Sequence, residues 1–271
     1  MTDLLIHSMS EFSEIILGIL DRAEAQNIAE IGAEYGGMSA RLAEFAAMHD
    51  GSLTSIDPAP KPEFVQWAAQ NPTVRHIAEP SLKAIGTLSG IDAWLIDGDH
   101  NWYTVYNELK QIDALCRRDN KPFLAILHDI DWPSGRRDMY YAPEQIPLEF
   151  RHDHDFEGGA VPTDPYLHPG RGFRGMGHFA WAKHEGGPRN GVRTAVEDFI
   201  KDIAADGREI ALAEIPAIFG LGILFSMDAP WSAAIAELVL PYHRNPLIAS
   251  LERNRLANYL TVLEWQDRTA A

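Results

Sequence analysis

The sequence predicts an α/β protein built on one mostly parallel sheet with helices on both faces. Three observations carry this reading. Short apolar runs alternate with amphipathic stretches from residue 10 to about residue 130. Several of those runs end in Gly, Asp or His, and in an open parallel sheet ligands bind outside the carboxyl ends of the strands. The chain has 271 residues, 46% of them apolar and 23% charged, enough for one large α/β domain with an insertion.

Ser10 to Ala25 reads as an amphipathic helix with Phe12, Ile15, Ile16, Ile19 and Leu20 on one face. A strand follows from Asn27 to Ile31 and stops at Gly32. Met38, Leu42 and Phe45 mark the next helix. The second strand, Ser52 to Ile56, ends at Asp57. Lys61 to Gln70 is a short helix, Val74 to Ala78 a third strand, and Leu82 to Leu88 a third helix. The fourth strand, Ala93 to Ile96, ends at Asp97. Val105, Leu109, Ile112 and Cys116 stripe the helix after it, and the fifth strand, Phe123 to Leu127, ends at His128-Asp129. From Asp131 to about Lys183 there is no period, and Pro, Gly, His, Tyr and Arg abound. So long a connection, rich in aromatics, is expected to be a lid or substrate-binding insertion. A helix from Val192 to Ala204 restores regularity. Ala211 to Ile215 and Gly222 to Phe225 then add an antiparallel pair, for seven strands in all. The tail, Trp231 to Asp267, is helical, with Leu247, Ile248, Leu251, Leu260 and Leu263 on its apolar side. It either packs on its own domain or meets a second copy. One domain is expected, divided into an N-terminal helical segment (1–26), a ligand-binding core (27–130), the insertion (131–187), the end of the core (188–230) and the helical tail (231–271).

Composition narrows the function. No apolar run of 18 residues exists, so no membrane span is expected. The start, Met1-Thr2-Asp3-Leu4, lacks the basic segment of a secretory signal. The single cysteine, Cys116, allows no intrachain disulfide and fits a cytoplasmic location. A net charge of −16 repels a phosphate backbone, which argues against nucleic acid as partner.

The first strand runs into Glu30-Ile31-Gly32-Ala33-Glu34-Tyr35-Gly36-Gly37-Met38. The glycines permit a tight turn and close approach of a ligand. Their spacing is G-x-x-x-G rather than the G-x-G-x-x-G that wraps a pyrophosphate. Glu30 can receive an ammonium, and Asp57 can accept hydrogen bonds from both hydroxyls of a ribose. This pattern resembles the class I S-adenosylmethionine-dependent methyltransferases. The resemblance implies their Rossmann-like fold and a cofactor held by Glu30, Gly32, Ala33, Tyr35, Gly36, Ser39, Asp57 and Asp97.

Past the fourth strand comes Asp97-Gly98-Asp99-His100, then Tyr103, and the fifth strand gives His128-Asp129. Asp97 and Asp129 are expected side by side, where two carboxylates repel unless a proton or a cation lies between them. A divalent cation would hold an acceptor hydroxyl and lower its pKa. His100 is placed to take the proton. This segment is similar to the metal-dependent small-molecule O-methyltransferases, which include the macrolide sugar and rhamnosyl O-methyltransferases and cephalosporin hydroxylase-like proteins. The likeness spans about Asn27 to Asp129, with an echo at Gly191-Val192-Arg193-Thr194-Ala195-Val196. It implies metal ligands at Asp97, His128 and Asp129, and catalytic roles for His100 and Asp97. Those sugar enzymes usually carry Glu where this chain has His128. Two carboxylates and an imidazole suit Mn²⁺ or Fe²⁺ as well as Mg²⁺. His128 as a second base, with no metal, is the other reading.

In the insertion, Arg136 and Arg137 either clamp an acidic group of the substrate or pair with Asp131 and Asp138. Tyr140 and Tyr141 offer stacking faces, and Trp102 lies at the start of the helix beside them. His152-Asp153-His154-Asp155 is a weaker metal candidate. The expected activity is O-methylation of a hydroxylated small molecule, such as a natural product or sugar-containing metabolite. The alternatives are N-methylation, another reaction of the same cofactor, a non-catalytic binder and a metal-dependent oxygenase. A homodimer through the C-terminal helices is the expected assembly if one forms.

Overall fold

In the computed structural model the described residues are 8–270, so the start of the chain, on which the secretory-signal reading rests, lies outside them. A short 3-10 turn leads into α1 (Ser13–Arg22). Then follow β1 (Asn27–Ile31), α2 (Gly37–Met48), β2 (Ser52–Ile56), α3 (Pro62–Gln70), β3 (Val74–Ile77), α4 (Ser81–Ala84), β4 (Ala93–Ile96), α5 (Trp102–Arg118) and β5 (Leu124–Leu127). After the insertion come α6 (Val192–Ala205), β11 (Ile210–Ile215), β12 (Leu221–Ser226), α7 (Ser232–Val239) and α8 (Pro246–Ala270).

The sheet has seven strands in the order β11-β12-β5-β4-β1-β2-β3. The five from β5 to β3 run parallel, and β12 pairs antiparallel with both β5 and β11. The central strands are covered on both sides, which is why β4 (AWLI) and β5 (LAIL) read as unbroken apolar runs. One face packs Trp94, Ile96 and Leu127 against Leu109 and Ile112 of α5 and Phe199 of α6. The other packs Ile28, Leu95 and Ile126 with Ile16 and Ile19 of α1, Leu42 of α2 and Ile235 of α7. This is the mostly parallel sheet with helices on both faces that the strand and helix alternation predicts.

Two helical expectations need correction. The third helix is a single α turn followed by a 3-10 turn, Ile85–Thr87. The tail is two helices. Pro241 has no N–H to continue α7, and Asn245 restarts the chain by accepting the Leu247 amide at 2.9 Å on its side chain.

The insertion contains five short strands, three of them only two or three residues long. β6 (Met139–Tyr140), β10 (Ala180–Ala182) and β7 (His154–Asp155) form one small antiparallel sheet, and β8 (Gly158–Val161) pairs with β9 (Asp164–Pro169). Asp138 joins this layer to the core. Its Oδ1 accepts the Trp102 amide at 2.7 Å and the Gly191 amide at 2.6 Å, and its Oδ2 accepts the Tyr140 hydroxyl at 2.7 Å. One buried carboxylate thus caps the starts of both α5 and α6.

Candidate active site

Register builds the site. Ile56, Ile31, Ile96 and Leu127 are partners across β2, β1, β4 and β5. The residues that follow them, Asp57, Gly32, Asp97 and His128, therefore stand in a row along the carboxyl edge. The ladder continues through them: the amides of Gly32, Asp97 and His128 donate to the carbonyls of Ile56, Ile31 and Ile96 at 2.9, 2.8 and 3.0 Å.

On the left of this row is the glycine loop. Gly32 has φ +87°, and a Cβ there would lie 2.2 Å from the Asp97 carbonyl oxygen, so only glycine lets the two strand ends approach. Gly36 has φ +83° and precedes α2, whose N-terminus faces the crevice edge of the sheet. Asp57 is turned toward this loop. Its Oδ2 accepts the amides of Ala33 (2.9 Å) and Glu34 (3.1 Å), and its Oδ1 that of Ala59 (2.9 Å). A carboxylate has about four acceptor positions, so one remains for a sugar hydroxyl rather than two. Glu30 is buried. Its Oε2 accepts the hydroxyls of Ser39 (2.6 Å) and Ser55 (2.8 Å), leaving Oε1 without a partner among the described residues. Burial pushes the Glu30 carboxyl up to about 7. Ser39 is enclosed and bonded to Glu30, so it steadies that carboxyl from behind the loop. Tyr35 is exposed, with the Lys61 ammonium over its ring. Tight glycines, an acceptor at Asp57 and an incompletely partnered acid at Glu30 fit an adenosyl ligand bearing an ammonium.

On the right is a box of two carboxylates and two imidazoles. Asp129, at φ +59°, turns its side chain back toward Asp97. His100 Nε2 lies 2.7 Å from Asp129 Oδ2 and 3.5 Å from Asp97 Oδ1. His128 Nδ1 lies 3.1 Å from Asp97 Oδ1 and 3.3 Å from Asp129 Oδ2. Burial opposes charge on all four, yet mutual attraction prevails. Asp97 and Asp129 are held below the carboxylate range, His128 well above the imidazole range, and His100 near 10. Among the described residues, Asp97, His100 and Asp129 offer ligand atoms within 4.8 Å of one another. Neither ring nitrogen of His100 has a well-directed hydrogen bond, although both are buried. This donor set of two carboxylates and an imidazole fits a divalent cation.

The two imidazoles are held differently. His128 Nε2 lies 2.7 Å from the Ile218 carbonyl oxygen. A carbonyl only accepts, so Nε2 carries the proton and Nδ1 is the nitrogen facing the aspartates. Ile218 belongs to the turn between β11 and β12. Because β12 runs antiparallel beside β5, that turn falls at the site. Ile218 (φ +48°) and Phe219 (φ +66°) are both left-handed, a conformation costing of order 1–3 kcal/mol at each such residue.

The insertion reaches the site through Tyr141, which is 54% exposed and packs edge-on to His100 at 6.4 Å between ring centres and to Phe179 at 6.2 Å. The other expected substrate residues are engaged elsewhere. Arg137 is fully buried and donates to the carbonyls of Ala182 (2.6 Å) and Pro165 (2.7 Å). Arg136 grips Glu197 on α6 with two hydrogen bonds, and Asp131 pairs with Arg193, so the arginines take neither expected aspartate. Tyr140 is enclosed against Asp138, and Trp102 is buried with its Nε1 donating to Asp198 at 2.8 Å. The His152–Asp155 run does not converge. His152 Nε2 meets the Arg189 carbonyl, and Asp155 accepts the amides of Glu157 and Gly158.

Sequence reading did not find Ile218, whose backbone carbonyl does the contacting, nor the buried acids behind His100. Asp99 accepts Asn101 Nδ2 and Thr104 Oγ1 on Oδ2 while Oδ1 is buried without a partner. Glu108 is fully buried with neither oxygen in a well-directed hydrogen bond, and burial pushes it up to about 8. Glu108 lies three residues after Val105, on the same face as the α5 stripe, and periodicity alone did not single it out.

No helix among the described residues is long and apolar enough to cross a membrane. No curated protein sequence matches the chain significantly. In structure it is similar to an O-methyltransferase of Bacillus cereus solved in complex with SAH. The two are 15% identical, the match covers 83% of this chain and 84% of that one, and the TM-score is 0.48. It is also similar to the SAH-bound methyltransferase PaMTH1 of Podospora anserina, at 15% identity, 79% and 78% coverage and a TM-score of 0.46. A family described as a methyltransferase domain matches residues 29–130, the span that holds the glycine loop, Asp57, Asp97, His100, His128 and Asp129. The glycine loop and the box of acids and imidazoles therefore both lie within the span that matches a methyltransferase domain.

Proposed function

We propose that the protein transfers a methyl group from S-adenosylmethionine to a hydroxyl of a small molecule, with a divalent cation assisting. The observation that carries this reading is the box formed by Asp97, His100, His128 and Asp129 next to the glycine loop. A pure binder of the cofactor has no use for it. Asp97 and Asp129 would hold the cation, with an imidazole as third donor. Bound there, it would supply a Lewis acid that lowers the pKa of the acceptor hydroxyl. His128 suits the donor role, because its protonated Nε2 is fixed and its Nδ1 faces both carboxylates. His100 suits the proton-accepting role. It lies next to exposed Tyr141, on the side open to the insertion, and neither of its nitrogens is committed to a directed hydrogen bond. A base must be neutral to accept a proton, so His100 works only when the charge of the two aspartates is engaged by something other than its own proton. That requirement is a second argument for a cation. Tyr141 and Phe179 favour an acceptor with a flat or apolar face. A second copy of the chain docks along α8 in this reading.

Incubation with S-adenosylmethionine, Mg²⁺ or Mn²⁺ and a panel of phenols and glycosides tests the proposal by mass. A gain of about 14 Da per turnover supports methyl transfer, whereas about 16 Da marks an oxygenase. Loss of turnover in EDTA with recovery on adding metal supports the assisted form. Full turnover in EDTA removes the cation.

A further inference from the structure

The C-terminal helix reaches the turn beside the site through Glu252 and Arg255. Glu252 of α8 accepts the Phe219 amide at 3.1 Å on Oε1. Its carboxylate is itself fixed by Arg255, whose Nε and Nη2 donate to Oε2 and Oε1, each at 2.7 Å. The Arg255 guanidinium also lies 5.0 Å over the Phe219 ring. Glu252 is nearly enclosed, with 11% of its side chain exposed. What it holds is the left-handed run Ile218, Phe219, Gly220. A β-branched residue with positive φ does not stay there unaided. On the other side the same turn is held by the Asp131 amide, which donates to the Phe219 carbonyl at 2.7 Å. Between these two anchors the Ile218 carbonyl is aimed at His128 Nε2.

We infer that Glu252 is a positioning residue, which locks the Ile218–Phe219 turn so that the Ile218 carbonyl stays on His128 Nε2 and holds the ring with Nδ1 toward Asp97 and Asp129. The inference rests on the proposed role of His128 at the site, but its structural content does not depend on turnover. Glu252 itself touches neither His128 nor the aspartates. It acts through the backbone, in the way that outer partners of a ligand imidazole fix its tautomer and orientation. It also gives α8 a role in the site that its distance along the chain conceals.

The test is long-range ¹H–¹⁵N correlation of the His128 ring in the full-length protein, compared among wild type, Glu252→Ala, Glu252→Gln and Arg255→Ala. In the wild type, Nε2 is expected to be a protonated, pyrrole-type nitrogen whose proton exchanges slowly with water. In Glu252→Ala that exchange should accelerate, because the carbonyl that shields the Nε2 proton is released from its fixed position. Glu252→Gln keeps one acceptor for the Phe219 amide and should return most of the protection, which a general loss of packing would not allow. A wild-type spectrum in Glu252→Ala overturns the inference. If that variant does not fold, Arg255→Ala decides: it leaves the carboxylate unsteadied, and unchanged exchange there overturns the inference equally. A protein without methyl transfer but with the expected spectra would lose the proposed function and keep this assignment. Turnover with unchanged spectra would do the reverse.

Discussion

Single residues in this fold pay for the site by keeping acids where water does not reach. Glu108 is the clearest case, fully buried on α5 and pushed up to about 8 by that burial. Its folded pKa lies above its unfolded value, so the native state binds the proton more tightly. The associated stability is complete below about pH 4.5, the unfolded value, and is lost as pH rises through about 8. Glu30, up to about 7, and Asp138, up to about 6, act with the same sign. Denaturant melts of the wild type should therefore lose stability between about pH 4.5 and 8. Glu108→Gln should flatten that slope by up to a few kcal/mol, at about 1.4 kcal/mol per pKa unit. An identical slope in the variant would mean that Glu108 is ionised or hydrated. On the cofactor side, Asp57→Ala should weaken adenosylhomocysteine by roughly 1–3 kcal/mol in calorimetry. Asp57 also holds the Ala33 and Glu34 amides, so the same change should loosen the glycine loop. Unaltered affinity would remove Asp57 from the cofactor site.

At the scale of elements, the core was readable and the insertion was not, for a physical reason. β4 and β5 are buried and wholly apolar, so the polar residues that follow them, Asp97 and the His128-Asp129 pair, mark the strand ends, and Asp57 follows buried Ile56 in the same way. Three of the insertion's strands are two or three residues long, below the length at which alternation shows, and β9 carries two prolines, which speak against a strand. Its arginines read equally as substrate clamps or as partners of Asp131 and Asp138, and nothing in the sequence brings Glu197 to Arg136 or the Ala182 carbonyl to Arg137. Hidden in the same way was Asp138, which caps two helices separated by the whole insertion. Asp138→Ala strips three donors of their acceptor and should cost roughly 3 kcal/mol or more in thermal or denaturant unfolding. A loss under about 1 kcal/mol would show that water replaces the carboxylate. Tyr141 is the insertion residue left facing the site. Tyr141→Ala should raise KM for the acceptor more than it lowers kcat, as expected when uniform binding is removed. A fall in kcat at constant KM would assign Tyr141 to chemistry.

At the scale of the whole molecule, the question is what covers α8. Its inner side is spent on the insertion and the β11–β12 turn: Tyr259 meets Phe173, Arg174 pairs with Asp267, and Glu252 holds Phe219. Its outer side exposes Leu247, Leu251, Val262 and Trp265 at 67%, 60%, 53% and 64%. With Asn254 and Asn258 between them, these residues recur at steps of four, three, four, four and three, a stripe along one side of the helix. An antiparallel pairing about Leu256 sets Leu247 of one copy opposite Trp265 of the other, and Asn254 opposite Asn258, so the stripe is complementary to itself. An acidic chain of net charge −16 otherwise repels its own copies, and an apolar stripe is the natural place for that repulsion to be overcome. Light scattering at about 50–100 µM, well above the micromolar dissociation constants of weak complexes, should give the mass of two chains. Leu251→Asp combined with Trp265→Asp should give one chain, with unchanged circular dichroism because both side chains are outside the fold. The inner face of α8 stays intact in that variant, so the His128 ring signals should also be unchanged. A monomeric wild type at those concentrations would leave the stripe for another partner, and a dimer surviving both substitutions would place the contact elsewhere.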